Sequence, residues 1–213
     1  MKPKLLDLFC GAGGCTKGYQ RAGFWVRGVD INPQPRYCGD EFIEADALEY
    51  LERLIESGEI DEFDAVHASP PCQKYSWAAK RWNRPRADLV EPIRDLLIQA
   101  GPPWVIENVI GAPLGYSTVL CGVMFGLEVI RHRIFESSRL FLAPPHRPHR
   151  GSVKDGTYVT VAGHGGNNIK GRGSRAAKQR AMGITWMDDV ELNEAIPPAY
   201  TEFIGRQLIK EGE

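Results

Sequence analysis

Leu5-Leu-Asp-Leu-Phe-Cys-Gly-Ala-Gly-Gly14, near the start of a sequence of 213 residues, sets the reading of everything after it. Leu5 to Phe9 is a short apolar run suited to a buried strand, and the glycines that follow permit backbone geometry closed to other residues. Thr16 to Ala22 then has the make-up of a helix closed by Gly23, and Phe24 to Asp30 is rich in β-formers before a turn at Asn32-Pro33. Strand, glycine loop, helix, strand is the opening of a βαβ unit.

In such a unit Gly11, Gly13 and Gly14 let the backbone approach a ligand. Asp30, 19 residues after Gly11, stands where a carboxylate accepts hydrogen bonds from ribose hydroxyls. The ligand should therefore contain an adenosine. A dinucleotide fits less well because the third fingerprint position is Thr16, and the chain has no Gly-x-x-x-x-Gly-Lys-Ser/Thr loop for a nucleoside triphosphate. A structural turn alone also uses Gly-x-Gly, so the loop needs support from elsewhere.

Working outward, Ala47 to Glu56 has helical spacing, Asp64 to Ala68 reads as strand, Asp88 to Ala100 as helix and Trp104 to Ile106 as strand. Alternation of this kind implies an α/β fold, a mostly parallel sheet with helices on both faces. From Ser137 to Gly173 the pattern weakens into Pro, Gly, His and Arg, an irregular lobe with strands expected at Leu140 to Leu142 and Tyr158 to Val161. Pro198 to Lys210 forms a final helix. The organisation expected is a core at 1–136, a lobe at 137–177 and a segment returning to the core at 178–213.

Composition is that of a globular domain, with 43% apolar and 25% charged residues. The longest uncharged run, Val109 to Leu127, is interrupted by Gly and Pro and reads as buried strand and turn rather than a membrane span; no signal peptide is evident, so a cytoplasmic protein is expected. Five cysteines occur without Cys-x-x-Cys and without a zinc-like pairing with histidine, so neither a disulfide framework nor a metal is expected. Net charge is −1, but residues 131–180 hold 11 basic and two acidic side chains, whereas 40–64 hold 11 acidic and one basic. A cationic face for a polyanion and an acidic back would segregate in this way, and so would a solvated surface.

Three further stretches carry chemistry. In Ala68-Ser-Pro-Pro-Cys-Gln73, two prolines stiffen the approach to Cys72, as a loop aiming a nucleophile would; Cys10, Cys15 and Cys121, among apolar or glycine neighbours, read as inert core thiols, and Cys38 as a loop residue. Glu107, in Val105-Ile-Glu-Asn-Val109, is an acid at the end of a buried strand, costly unless protonated or partnered. Arg131 and Arg133 alternate on an extended segment, so both guanidinium groups would reach one anion or polar ring edge.

Taken in order, these segments resemble the DNA cytosine-5 methyltransferase family, a small form of phage or prokaryotic type. The resemblance covers about residues 5–136 and 178–210 and implies a Rossmann-like fold dependent on S-adenosylmethionine. It implies cofactor contacts from Phe9, Gly11, Ala12, Gly13, Gly14, Asp30, Ile31, Asp46, Ala47 and Pro71. Ala195 and Ile196 belong to Ala195-Ile-Pro-Pro-Ala199, which resembles the closing motif. It implies Cys72 as nucleophile on C6 of cytosine, Glu107 as the acid at N3, and Arg131 and Arg133 as the twin arginines, the second holding O2. The partner implied is double-stranded DNA with the target base flipped out, and the enzyme implied is a monomer in the cytoplasm of a bacterial host, host- or phage-encoded.

Three positions depart from the family pattern. Val129 stands where the family has Gln, Asn193-Glu-Ala195 where it has Gly-Asn before a small residue, and only about 40 residues occupy the place of a large recognition domain. Recognition should then be short or loose, with Arg147, Arg150, Lys170, Arg172 and Arg175 serving as phosphate contacts. Gly163-His-Gly-Gly-Asn-Asn168 reads equally as a reading loop or a linker. The alternatives are an RNA cytosine-5 methyltransferase of the tRNA-modifying branch, whose Cys-Phe-Thr signature is missing here, a catalytically silent DNA- or cofactor-binding regulator, and transfer of a group other than methyl from an S-adenosylmethionine analogue.

Overall fold

A computed structural model gives the fold, and the residues it describes are 2–71, 88–146, 148–161 and 173–210. Seven strands form one sheet: β1 (Lys4–Leu8), β2 (Trp25–Asp30), β3 (Glu41–Glu44), β4 (Ala65–Ala68), β5 (Trp104–Asn108), β6 (Ser117–Leu120) and β7 (Arg133–Ser137). Their spatial order is β3-β2-β1-β4-β5-β7-β6. The first five run parallel, while β7 lies antiparallel between β5 and β6. The described helices are α1 (Gly14–Ala22), α2 (Ala47–Ser57), α3 (Val90–Ala100), α4 (Arg175–Met182), α5 (Asp189–Glu194) and α6 (Pro198–Lys210).

The two-residue strand period decides which helices cover which face. Leu5, Val26, Ala65, Val105 and Phe135 pack with Tyr19 of α1 and with Tyr200 and Ile204 of α6. Leu6, Leu8, Val66 and Ile106 face the other way, against Leu51 and Leu54 of α2 and Ile93 and Leu97 of α3. The expected α/β architecture with a mostly parallel, doubly covered sheet is thus observed. Three of its buried polar residues, Asp7, His67 and Glu107, share the parity of the α1/α6 face.

Several elements differ from expectation. Leu140 to Leu142 is not a strand: Leu140 and Leu142 are exposed, and the Leu142 N–H bonds the Gln207 side chain. Tyr158 to Val161 is not one either. Val159 donates a single backbone bond to Glu128, and the segment is held by packing against Ala177, Ala181 and Met182 of α4. Helices α4 and α5 were not anticipated, although Ser174 caps the first and Asp188 with Glu191 forms a capping box on the second. A boundary between 177 and 178 would cut α4, so the lobe and the returning segment join within a helix. Val109 to Leu127 holds β6 and a 3-10 turn, and no helix among the described residues is long and apolar enough to cross a membrane.

Candidate active site

The chain builds β1, β2 and β3 in one direction from the sheet centre and then crosses to β4 and β5, so the strand order reverses between β1 and β4. Loops leaving the carboxyl ends of strands on either side of such a point diverge and leave a crevice. The glycine loop after β1 and Ser69-Pro-Pro71 after β4 flank it.

The glycine loop is shaped by three positive φ angles in sequence: Phe9 at 59°, Gly11 at 49° and Gly13 at 89°. Phe9 is the exception among them, because a side chain in this region is uncommon and is held there by its surroundings. Asp30 fixes the loop by accepting from the Gly11 N–H (3.0 Å) and the Asn32 N–H (2.9 Å), and Ala12 accepts from the Trp186 indole (2.8 Å). A Cβ on Gly14 would lie 2.6 Å from the Ile196 carbonyl oxygen and 3.4 Å from Ala195 Cβ, so the closing segment packs directly on the loop. Thr201 reinforces this contact by donating to the Cys15 carbonyl (2.8 Å).

The remaining expected cofactor residues divide. Ile31 is 63% exposed at the tip of β2, an apolar wall beside the Asp30 carboxylate. Asp46 caps α2, its Oδ1 accepting from Leu48 and Glu49, which leaves Oδ2 as the atom available to a ligand. The Ala47 side chain faces the core and can offer only backbone. Pro71 is exposed, and Cys72 lies outside the described residues, which resume at Asp88.

Glu107 is the penultimate residue of β5, next to Asn108. Burial raises its carboxyl above the usual range, opposed by Arg133, by Arg131 and by a hydrogen bond from Ser69. The Arg133 Nε is 3.0 Å from Glu107 Oε1 without the alignment of a hydrogen bond, and Oε1 has no hydrogen-bond partner among the described residues. Its neighbour Asn108 donates to the Pro70 carbonyl (3.0 Å), tying the acid strand to the loop that leads into Cys72. Behind Ser69 stands His67, whose Nε2 is 2.9 Å from the Ser69 hydroxyl and whose Nδ1 is 2.9 Å from the Tyr19 hydroxyl. Burial lowers His67 to about 3, so the ring stays neutral and relays position rather than charge.

The two arginines differ in their hydrogen bonds, although both oppose the rise of the Glu107 carboxyl. Arg131 is buried and donates to the carbonyls of Val161 (2.7 Å) and Asn193 (2.8 Å), while Tyr200 donates to its own carbonyl. It precedes β7, where the chain is not yet laddered, so alternation does not hold there. Arg131 therefore clamps the lobe and the closing segment, and Arg133 forms an ion pair with Glu107.

The family model for C-5 cytosine-specific DNA methylases matches residues 3–113, just over half of the chain. The chain belongs to that family. Among related proteins, the type II methyltransferase M.AquIA of Picosynechococcus is 34% identical over 125 residues, covering 52% of this chain and 50% of its own length. M.AgeI of Thalassovita gelatinovora is 27% identical over 194 residues, 73% of this chain and 44% of its own. The chain thus spans about half, or less, of the length of these relatives. Two solved structures share the fold over nearly its whole length: a prophage-encoded E. coli protein assigned as a DNA modification methyltransferase (TM-score 0.64, 15% identity, 99% of this chain and 100% of that one) and the Entamoeba histolytica methyltransferase EhMeth (TM-score 0.63, 14% identity, 100% and 99%).

Within this chain, sequence reasoning missed Ser69, His67 and Asn108. Asn108 follows Glu107 directly, but no local signal marks His67 in an apolar strand as polar support. Val129 is buried and packs on Gly122, where an added Cβ would meet the Val129 carbonyl oxygen at 2.2 Å; an apolar residue fits that place. Of the expected phosphate contacts, Arg147, Lys170 and Arg172 lie outside the described residues, as does Gly163 to Asn168. Arg150 is exposed, and Arg175 is engaged by Asp189 (3.4 Å). Cys10 and Cys15 are buried, and burial pushes both thiols far above their ordinary value. Cys121 is not simply an inert core thiol: its sulfur is 3.6 Å from His149 Nε2, a pairing of cysteine with histidine that sequence spacing did not suggest.

Proposed function

We propose that this protein transfers a methyl group to C5 of cytosine in double-stranded DNA, with S-adenosylmethionine as donor and Cys72 as the covalent nucleophile. The observation that carries this reading is the Asn108 bond to the Pro70 carbonyl, which couples a buried acid, its proton affinity raised by burial, to the loop that leads to the thiol.

The crevice suits the donor. Its glycine loop admits close backbone approach, Asp30 and Ile31 offer a carboxylate beside an exposed apolar surface, and Ala195 and Ile196 close the loop from behind. When bound there, S-adenosylmethionine supplies an electrophilic methyl group.

C5 of cytosine is a weak nucleophile, so the Cys72 thiolate adds to C6 and makes C5 enamine-like. Charge developing at N3 is met by Glu107, whose raised affinity for a proton lets it donate to or share with the ring nitrogen. Arg133, beside Glu107, holds O2 and keeps the acid oriented. After methylation, loss of the C5 proton and expulsion of the thiolate restore the aromatic ring. Because none of this is possible in a stacked duplex, the target base is flipped out.

Mass spectrometry of nucleosides from DNA incubated with the protein and S-adenosylmethionine tests the proposal. The expected product is 5-methylcytosine. Its absence from DNA together with its appearance in tRNA under the same conditions would transfer the proposal to RNA.

A further inference from the structure

We infer that Cys121, His132, His146 and His149 form a structural zinc site that fastens the irregular lobe to the antiparallel edge of the sheet. One ligand atom from each side chain lies within 4.8 Å of all the others, and this is the group among the described residues arranged to hold an ion. The close pairs are Cys121 Sγ to His149 Nε2 at 3.6 Å, His149 Nε2 to His146 Nε2 at 3.3 Å, and His146 Nε2 to His132 Nε2 at 3.1 Å. Donors placed tetrahedrally at about 2.3 Å for sulfur and about 2.0–2.1 Å for nitrogen would stand about 3.6 Å (S to N) and about 3.3 Å (N to N) apart. The three close pairs, at 3.6, 3.3 and 3.1 Å, lie near those values, and the other pairs lie within 4.8 Å.

The topology explains why the four meet. Leu120 at the end of β6 is paired with Arg133 at the start of β7, so Cys121 and His132 are the next facing positions beyond the ladder. His146 and His149 come from the lobe with His-x-x-His spacing, and the three rings gather with centroids 5.0–5.2 Å apart. Tyr158 packs edge-on against His149.

Hydrogen bonding alone accounts poorly for this arrangement. His146 Nε2 faces the Nε2 atoms of both His132 and His149, yet one neutral ring nitrogen carries at most one proton to donate. An ion that accepts four lone pairs satisfies them all. One thiolate and three imidazoles in a tetrahedron favour zinc, and four protein ligands leave no open position, so the role is structural rather than catalytic. The described part of the lobe from 138 to 161 contains neither helix nor strand, and a metal supplies the cross-link that a backbone ladder does not. The neighbouring residue Arg133 is then positioned by the same fastening.

The test uses the full chain, purified in metal-free buffer. About one Zn2+ per chain is expected by elemental mass spectrometry. Chelation should lower Tm by about 5 °C or more, reversed by Zn2+ and not by Mg2+. Replacement of the ion by Co2+ should give tetrahedral visible bands and a thiolate charge-transfer band, which Cys121→Ser removes. His146→Ala, at an exposed position, should weaken zinc binding by roughly tenfold or more with unchanged far-UV circular dichroism. No zinc in the native chain even after reconstitution would overturn the inference. So would a cobalt spectrum lacking the thiolate band, or zinc content unaltered in both variants.

Discussion

Asp7 offers a test in which structure sets the magnitude. Its side chain is fully buried at the end of β1; Thr16 donates to Oδ2, and Oδ1 has no hydrogen-bond partner among the described residues. Burial is the main cause of a pKa raised from 3.8 to about 7, with Asp30 adding to it and the Thr16 bonds opposing it. At about 1.36 kcal/mol per pKa unit, the ionised form is disfavoured by about 4 kcal/mol. Because the folded value is above the unfolded one, the folded state binds the extra proton. Stability from this residue is complete below pH 4 and is lost as pH rises to about 7. Asp7→Asn cannot ionise, so the stability difference between variant and parent should shift in the variant's favour by about 1.4 kcal/mol per pH unit inside that window. Urea unfolding followed by circular dichroism at pH 5, 6, 7 and 8 measures the difference directly, and groups common to both proteins cancel. Parallel stability profiles from pH 5 to 7 would refute a buried, proton-holding Asp7.

Four other outcomes are expected. Cys72→Ala should abolish methyl transfer while far-UV circular dichroism and binding of S-adenosylmethionine persist, and DNA carrying 5-fluorocytosine at the target should stay attached to the parent protein alone. Glu107→Gln should lower kcat by roughly 10²-fold or more with DNA affinity little changed, as steady-state kinetics at saturating DNA would report. Arg131→Ala should destabilise the fold by roughly 2–4 kcal/mol in urea titrations because the buried Val161 carbonyl and the partly buried Asn193 carbonyl lose their donor, whereas Arg133→Ala should act mainly on turnover. Arg150→Ala should flatten the salt dependence of DNA binding by about one unit of log–log slope, and Arg175→Ala by less, since Asp189 already holds that guanidinium.

The sequence alone determined the features that arise within a few residues. Positive φ in Gly11-Ala-Gly13, strand parity in Leu5 to Leu8, the helix spacing of Ala47 to Glu56 and the Pro-rich approach to Cys72 are local, so the βαβ opening and the placement of the site loops were legible. Even here some roles shifted, as with Asp46, where capping of α2 engages one oxygen of an expected ligand contact. Tertiary structure decided what depends on partners far along the chain. Where the Arg131 guanidinium places its hydrogen bonds depends on carbonyls 30 and 62 residues away. The neutral His67 beside Ser69 became polar support because Tyr19 reaches it from α1, 48 residues away. Cys121 and His149, 28 residues apart, meet because β7 pairs with β6 and the chain after β7 returns to the end of that ladder. Periodicity and spacing carry no record of such closures, since the free energy that selects them lies in burial and hydrogen bonding between segments that are remote until the chain folds.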